Sequence, residues 1–444
     1  MNGIFFAIVL IAFLVASYHQ LTGVIDGPDG TEPMQALATA VIDSASGSVT
    51  LAIGLIGVMT LFLGLMKVAE AGGWLVIIAR LVQPLMQRLF PDVPAEHPAM
   101  GAMILNISAN VLGLGNAATP FGIRAMQELD SLNHNKGTAT NAMVLFLAIN
   151  TSSVTLLPTG VIALRAAAGS TDPAGIMPTT LFATICSTTV AIVIAKLYQR
   201  FWPMTSPGES TVEAIESATT PIPDSTASEK DAVDPISPAP ETGEGYPIWV
   251  SVLALAGIAS LVPLTLVFGK EIAPWIIPGL IVGLLGFGVA RRVRVYVVFL
   301  DGARDGFQVA VRIIPYLVAI LVAVGMFRAS GALAALITPL GAVTELFGLP
   351  AEALPMALLR PLSGSGAYGV LASIINDPAI GPDSYTGYLV STFQGSTETT
   401  FYVLAVYFGA VGIRRIRHAL AAALTADVAG IAAAVFICSY LYGF

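Results

Sequence analysis

Apolar runs long enough to cross a bilayer, or nearly so, recur at residues 3–18, 48–68, 175–199, 246–268, 272–290, 307–328 and 418–441. Two further runs, 138–168 and 384–412, are as long but carry polar clusters in their middle. The pattern predicts an all-α polytopic membrane protein in which some helices are broken. The first run is short enough for a signal peptide, yet Met1 to Phe5 contains no Lys or Arg, so a retained helix is expected. Amphipathic stretches at 74–90 and 332–347 predict helices lying in the membrane plane.

Composition agrees with the pattern. The 444 residues are 55% hydrophobic and 11% charged, more apolar surface than a water-soluble core can hide. The net charge of -8 is local: residues 205–245 hold nine acids and one base, and the rest of the chain is balanced. That stretch is rich in Pro, Ser, Thr and Ala, the composition of a disordered linker. Nothing in the charge distribution suggests nucleic acid. Cys186 and Cys438 sit in apolar stretches, and His19, His97, His134 and His418 lie at span ends or in loops, so no metal site is expected.

Basic residues collect at Arg291, Arg292 and Arg294, at Arg414, Arg415 and Arg417, and at Lys196 and Arg200, which places these ends in the cytoplasm. The loop with Asp26, Asp29 and Glu32 has no base and is expected outside. The segment GLMKVAEAGG at 64–73, followed by PLMQRLFPDVPAEHPAM, is echoed by VGMFRASGAL at 324–333, followed by PLGAVTELFGLPAEALPM. The order of parts is the same, which implies an internal duplication. Loop charges orient the copies oppositely, with the span at 246–268 supplying the extra crossing that inversion needs. The expected organisation is a first repeat at 1–202, a cytoplasmic linker at 203–245, a connecting helix at 246–268 and a second repeat at 269–444. Lys67 and Arg328 fall at equivalent span ends and are expected to snorkel to the interface.

Four segments break the apolar pattern, in two matching pairs. In 97–122, Asn106 and Asn110 share a helix face before Gly113, Gly115 and Asn116 interrupt it. Its counterpart, 353–377, carries Arg360-Pro361 and then Ser363, Gly364, Ser365 and Gly366. Both are expected to form re-entrant hairpins. The second pair aligns Asn150, Thr151, Ser152 and Ser153 with Gly395, Ser396, Thr397 and Glu398, preceded by Gln394. Each span is expected to be two half-helices, with Ser and Thr capping the second half. Such hydroxyls and amides can equally serve as glue between helices. Glu398 and Arg360 at depth either bind a solute or pair with each other.

These residues resemble a known family. GLIGVMTLFLGLMKVAEAGG, HPAMGAMILNISANVLGLGNAATP and INTSSVTLLPTGVIALRAAAGS resemble spore maturation protein A. GFQVAVRIIPYLVAILVAVGMFRASGAL, RPLSGSGAYGVL and GSTETTFYVLAVYFGAVGIRR resemble spore maturation protein B. Together they look like a fusion of two members of the nucleoside recognition, or Gate, group. That group is similar to concentrative nucleoside transporters, whose inverted repeats contain hairpins and broken helices, and to the membrane part of a ferrous-iron transporter. One transporter hairpin carries a Gly-Gln-Thr-Glu-like motif that Gly395 to Glu398 resembles.

The expected activity is secondary transport or export of a small polar or anionic solute across the bacterial inner membrane. Asn106, Asn110, Asn150, Thr151, Ser152 and Ser153 would touch it from one half. Arg360, Ser363, Ser365, Gln394, Ser396, Thr397 and Glu398 would touch it from the other. No cofactor is expected beyond a coupling Na+ or H+, because GxxxxGK[ST] is absent. No nucleophile–base pair suggests an enzyme. The alternatives are a lipid translocase and a non-transporting membrane scaffold or signalling protein. The expected partners are the solute, the bilayer and, for an oligomer, further copies of the chain.

Overall fold

The computed structural model describes residues 2–23, 32–113, 115–202, 245–312 and 314–443. The acidic stretch 203–244, with Asp26 and Asp29, lies outside the described residues. Among those described, all regular structure is helical apart from one isolated bridge between Thr138 and Arg415. The first set of helices is α1 (Asn2–Thr22), α2 (Pro33–Ala71), α3 (Trp74–Leu89), α4 (Pro98–Val111), α5 (Gly115–Ser131), α6 (Asn141–Thr151), α7 (Thr159–Ala167) and α8 (Ile176–Tyr198). The second set is α9 (Ile248–Ala290), α10 (Val295–Arg312), α11 (Ile314–Ala329), α12 (Ala332–Thr344), α13 (Leu354–Leu359), α14 (Gly364–Ile375), α15 (Tyr385–Ser396), α16 (Thr400–Gly409) and α17 (Ala419–Tyr442). Four helices, α1, α2, α8 and α17, are each long and apolar enough to cross a membrane.

The same local chemistry starts equivalent elements in both sets. Gly73 at φ 90° precedes α3 and Gly331 at φ 77° precedes α12, a left-handed backbone that favours glycine. Thr140 caps α6 by accepting from the Met143 N–H at 3.2 Å, and Ser384 caps α15 by accepting from the Gly387 N–H at 3.0 Å. In α3, Leu75, Ala79, Val82 and Met86 are buried at helical spacing. Helix α12 leaves α11 at 75°.

Three boundaries differ from the apolar pattern. The runs at 246–268 and 272–290, the first expected as a separate connecting helix, fall within one helical element, α9. Helix α2 starts at Pro33, well before residue 48, because the Ala- and Ser-rich stretch between them continues the helix. The run expected at 307–328 is shared by α10 and α11, and α10 begins at Val295. Its charges Asp301, Arg304 and Asp305 read as loop, yet they lie on an exposed helix face while Gly302, Ala303 and Gly306 are buried. That small-residue face lets α10 meet α2 backbone to backbone: a Cβ on Gly306 would stand 2.7 Å from the Met59 carbonyl and 2.8 Å from the Thr60 Cα.

Equivalent elements pack antiparallel. Along α2, Met59 and Thr60 meet Gly306, Ser48 meets Leu317 and Ser44 meets Gly325. Helices α8 and α17 pair with Ser187 donating to the Ala426 carbonyl at 2.9 Å and with Phe182 stacked on Phe436. The residues flanking α9 lie near one another, since Tyr246 N–H donates to Arg80 O of α3 at 3.1 Å and Arg291 Nε donates to Gly72 O, just before α3, at 3.0 Å. A straight helix of the length of α9 would hold them roughly 65 Å apart, so α9 turns back between them. One end of the bundle therefore gathers the C-terminus of α2, α3, Arg291 and its neighbours. The same end carries the 132–140 loop and the 410–418 loop, where Arg417 bonds the Trp202 carbonyl, the Ala139 carbonyl and the Asn141 side chain.

The loops beyond the two broken spans dock reciprocally. After α16, Arg414 and Arg415 donate main-chain bonds to Gly137 O, and Ala139 N–H donates to Arg415 O, just before α6. After α7, the 169–172 turn docks on Pro382 and Asp383, just before α15. Arg165, fully buried on α7, donates to Pro382 O at 2.6 Å, Asp172 O at 3.1 Å and Asp383 Oδ1 at 3.0 Å, and lies 4.2 Å over the Tyr388 ring. Asp383 also accepts from Ser170 and from the Thr171 N–H and hydroxyl. Partial burial opposes the ionisation of Asp383, but those hydrogen bonds and the Arg165 charge outweigh it and hold the carboxyl below its usual range. Burial, reinforced by the Asp383 charge, pushes Asp172 up against the opposing pull of Arg165.

Gly306→Ala should destabilise the chain in detergent by about 1–3 kcal/mol, because the methyl group meets backbone that cannot yield. Gly57→Ala, which meets nothing within 4 Å, should leave the thermal midpoint unchanged or slightly higher. Asp383→Asn should cost roughly 2–3 kcal/mol at neutral pH by weakening the hold on a buried guanidinium. Because the folded-state pKa of Asp383 is depressed, its stabilisation is complete above the unfolded-state value and is lost as pH falls through the folded one. Acid unfolding curves should show that loss in the parent and not in Asp383→Asn.

Candidate functional site

Both broken spans are broken where the Ser and Thr clusters lie. Helix α6 ends at Thr151 and α7 begins at Thr159; α15 ends at Ser396 and α16 begins at Thr400. Both hairpins are broken too, at Leu112–Gly113 between α4 and α5 and at Arg360–Ser363 between α13 and α14. The four breaks meet. Within the first half, Leu156 N–H donates to Val111 O at 2.9 Å, so the hairpin turn docks into the gap of the broken span. Within the second half, Phe401 N–H donates to Pro361 O at 3.1 Å and makes the same join. The two halves are then linked by Glu398 N–H to Thr151 O at 3.0 Å.

The side chains fall into three groups. Asn106, Asn110 and Asn150 form one network with Tyr407 of α16. Asn110 donates to Asn150 Oδ1 at 2.9 Å, Asn106 donates to the Tyr407 hydroxyl at 3.1 Å and to Ala118 O at 2.7 Å, and Tyr407 approaches Asn150 Oδ1 at 3.4 Å. Gly122 makes room for that hydroxyl, since a Cβ there would overlap it. The hydroxyls form a second group whose capacity is largely taken. Thr151 and Ser152 both donate to Ala148 O, at 3.0 and 2.8 Å, and Ser396 and Thr397 both reach back to Phe393 O. Ser363 caps α14 by accepting from Gly366 N–H at 3.0 Å, and Ser365 is exposed. The third group is charged: Arg360 donates to the Thr397 carbonyl and to Thr399 Oγ1 at 3.0 Å, and stands 3.7 Å from Glu398 Oε2.

Two expectations change. The Ser and Thr residues do not cap the second half-helices: Pro158 stands at the N-cap of α7, and Thr399 at the N-cap of α16 makes no side-chain cap bond. The gap after α6 is too long for Thr151 to Ser153 to reach α7, so the hydroxyls of Thr151 and Ser152 bond the turn behind them instead. The Arg360–Glu398 pair is also lopsided. The Arg360 side chain is 6% exposed and held by the main chain of the break, while Glu398 is 51% exposed. Glu398 is an open carboxylate at the edge of ion-pair range rather than the partner that fixes Arg360.

The cluster retains buried polar atoms with no hydrogen-bond partner among the described residues: Asn106 Oδ1, Ser153 Oγ, Gln394 Oε1 and Arg360 Nε. Native structures leave few such atoms, so each calls for an explanation such as strain, a bound water or ion, or a functional role. A cleft of about 1330 Å³ opens elsewhere, between α1, α2 and α11, lined by His19, Asp43, Ser44, Thr50, Arg328 and Asn376. It includes none of the break residues and lies beside the Arg328–Asp377 ion pair of 2.7 Å.

Sequence reasoning missed Tyr407, Arg165 and a hydroxyl stripe on α8. Thr188 of that stripe donates to Ser152 O, and Thr179 meets Thr392 at 2.7 Å. The stripe has a legible signal, Thr180, Thr184 and Ser187 on one helix face. Asp427 was missed as well, although a single acid in the apolar run 418–441 is itself a signal. It is 2% exposed, accepts from Thr400 Oγ1 at 2.6 Å, and its Oδ1 has no partner.

An all-helical polytopic membrane protein, with two sets of hairpin and broken helix converging on one polar cluster, is the class these features define. The Gate family, described as nucleoside recognition, matches the chain twice, at residues 52–168 and 310–414, and the chain belongs to that family. It is 45% identical over 165 residues to spore maturation protein A of Bacillus subtilis (strain 168), covering 37% of this chain and 84% of that protein. It is also 45% identical over 177 residues to spore maturation protein B of the same strain, covering 39% of this chain and 98% of that protein. No solved structure matches the chain.

Arg360→Ala should lower thermal stability in detergent by roughly 1.5–3 kcal/mol, since it strips charged hydrogen bonds from buried acceptors. Glu398→Gln should change it by less than about 1 kcal/mol. Equal losses in both variants would mean that the two residues act mainly as a structural pair.

Proposed function

We propose that the chain is a secondary transporter of a small polar solute in the bacterial inner membrane, with the solute held where the four breaks meet. The observation that carries this reading is the convergence itself. Unwound backbone from both halves is hydrogen-bonded into one cluster that keeps unpartnered polar atoms and the open Glu398 carboxylate. Irregular backbone at membrane depth persists where protein or a polar cavity satisfies it.

The lining selects the chemistry. Asn106 Oδ1, Gln394 Oε1 and Glu398 are acceptors, whereas both terminal nitrogens of Arg360 already serve the break. Acceptors around an open carboxylate suit hydroxyl and amino donors, so a nucleoside-like solute fits better than an organic anion. The description of the Gate family, nucleoside recognition, points the same way.

We read the two sets of elements as inverted repeats. Equivalent helices pack antiparallel in every pair described above, and each broken span begins where the other ends. The basic groups around Arg291, Lys196 and Arg414 share one end of the bundle, which would face the cytoplasm together with the acidic linker. Rocking of one repeat against the other would then expose the cluster alternately. The reading involves no enzymatic step.

Proteoliposomes carrying the full chain should exchange radiolabelled nucleosides saturably, and Glu398→Gln should reduce that exchange by about tenfold or more while leaving the protein folded. A dicarboxylate should move no faster than through empty vesicles. The reading fails if no nucleoside exchanges above the empty-vesicle rate, or if Glu398→Gln exchanges as fast as the parent.

A further inference from the structure

We propose that Asp427 is a proton-binding site whose occupancy is set by Arg360, and that Arg360 in turn answers to the charge at Glu398. The inference deepens the transport reading by naming the coupling ion, and it rests on that reading only for what the proton is coupled to.

The geometry is that of a carboxyl built to exist in two states. Asp427 lies in the middle of α17, shut away from solvent, with one oxygen bonded to Thr400 Oγ1 at 2.6 Å and the other without a partner. A permanently ionised carboxylate so placed would need both oxygens satisfied, and a permanently neutral residue would need no guanidinium beside it. The Thr400 contact survives either state. In the ionised form the hydroxyl donates to the carboxylate, and in the protonated form the carboxyl can donate to the hydroxyl.

Arg360 stands 3.7 Å from Glu398 Oε2 and donates to Thr399 Oγ1 at 3.0 Å, the neighbour in sequence of the Thr400 that bonds Asp427. Helix α17 is brought against the break by Gly430, one turn beyond Asp427, where a Cβ would stand 3.0 Å from the Thr397 methyl. The groups acting on Asp427 are Thr400 and Arg360. The other titratable side chains on the helices packed against α17 are Cys186, Lys196 and Tyr198 on α8, Tyr385 and Tyr388 on α15, and Tyr402 and Tyr407 on α16; α6 carries none.

A proton fits this site better than a metal cation. One carboxylate and one hydroxyl are far fewer oxygen ligands than an alkali or alkaline-earth ion takes, and the neighbouring guanidinium repels a cation. While Glu398 is ionised and open, it shares the Arg360 charge and Asp427 keeps its proton. When the hydroxyl or amino donors of a bound solute engage the Glu398 carboxylate, it holds less of the Arg360 charge, more of that charge falls to Asp427, the O–H bond breaks, and the proton leaves to water with the carboxylate stabilised by Arg360. Loading at one acid thereby releases a proton at the other.

The test needs no solute. A hydrophobic carbodiimide adds to protonated carboxyls in apolar surroundings, so the full chain in lipid vesicles is treated with dicyclohexylcarbodiimide across a pH series and the label on the Asp427 peptide is measured by mass spectrometry. Asp427 should be labelled in acid and progressively less as pH rises. Glu398→Gln should confine labelling to more acidic pH, and Arg360→Gln should extend it to more alkaline pH, each displacing the midpoint by about one unit or more. Asp427→Asn should remove the label from that peptide. Because Glu398 is open, its variant tests the link without disturbing the packing. No label on Asp427 at any pH, or midpoints in the two variants that stay with the parent or move in the same direction, overturns the proposal. These outcomes are independent of whether nucleosides cross the vesicle, so failure here and failure of the transport reading remain separate.

Discussion

The hydrogen bond from the Glu398 N–H to the Thr151 carbonyl joins the two halves at their weakest points. Each broken span leaves main-chain groups unpaired in a medium that offers no water. An unpaired group of this kind costs several kcal/mol in hydrocarbon. The structure meets that requirement by making the breaks satisfy one another. Val111 and Pro361 bring in the hairpin turns, and Thr151 and Glu398 bind the results together. Break any one of these bonds and its donor and acceptor are left unpaired inside the cluster, which is why four separate irregularities behave as one unit.

Two buried arginines show how differently the same group can be used. Arg165 has acceptors from Pro382, Ser391, Ser170, Asp172 and Asp383, with the Tyr388 ring beneath it. It is a fixed anchor between loops of opposite halves. Arg360 has the Thr397 carbonyl, one hydroxyl and a distant carboxylate. A charge with so little compensation is held less firmly, and its neighbours Glu398 and Asp427 are correspondingly sensitive to where it points. The asymmetry between the anchored and the loosely compensated guanidinium separates scaffold from working parts more clearly than burial does.

The parts legible in the sequence were those where composition contradicts the surrounding helix. Pro, Gly, Ser and Thr at Gly113, Arg360–Gly366, Thr151–Ser153 and Ser396–Thr399 interrupt apolar runs, and each marks a real break. The amphipathic stretch at 74–90 is likewise the helix α3. Partnership was not legible. Arg165 and Asp383 are far apart in the chain, and the contact between them follows from the way the halves interlock. Tyr407 reads as one aromatic residue among several until Asn106 and Asn150 are seen beside it. The roles of the hydroxyls were misjudged for a local reason: the backbone between α6 and α7 is extended over several residues, so the nearest acceptor for Thr151 lies behind it in α6. The charged face of α10 was concealed by close approach. Gly302 and Gly306 sit among acids and an arginine, and only the bundle shows which side meets α2.

The reciprocal docking of loops has a consequence for how such a molecule comes into being. Neither half closes its own broken span: the entrance of each is held by the exit of the other, and the central carbonyl of one is capped by the amide of its counterpart. A half made alone would lack the partner for its central main-chain group, and the first half would lose the Pro382 and Asp383 acceptors of Arg165, so pairing of the halves adds to the stability of each. Relatives exist as two proteins that align with 37% and 39% of this chain. Carrying both halves in one chain fixes their ratio at one to one and replaces a search across the membrane by an encounter at high effective concentration.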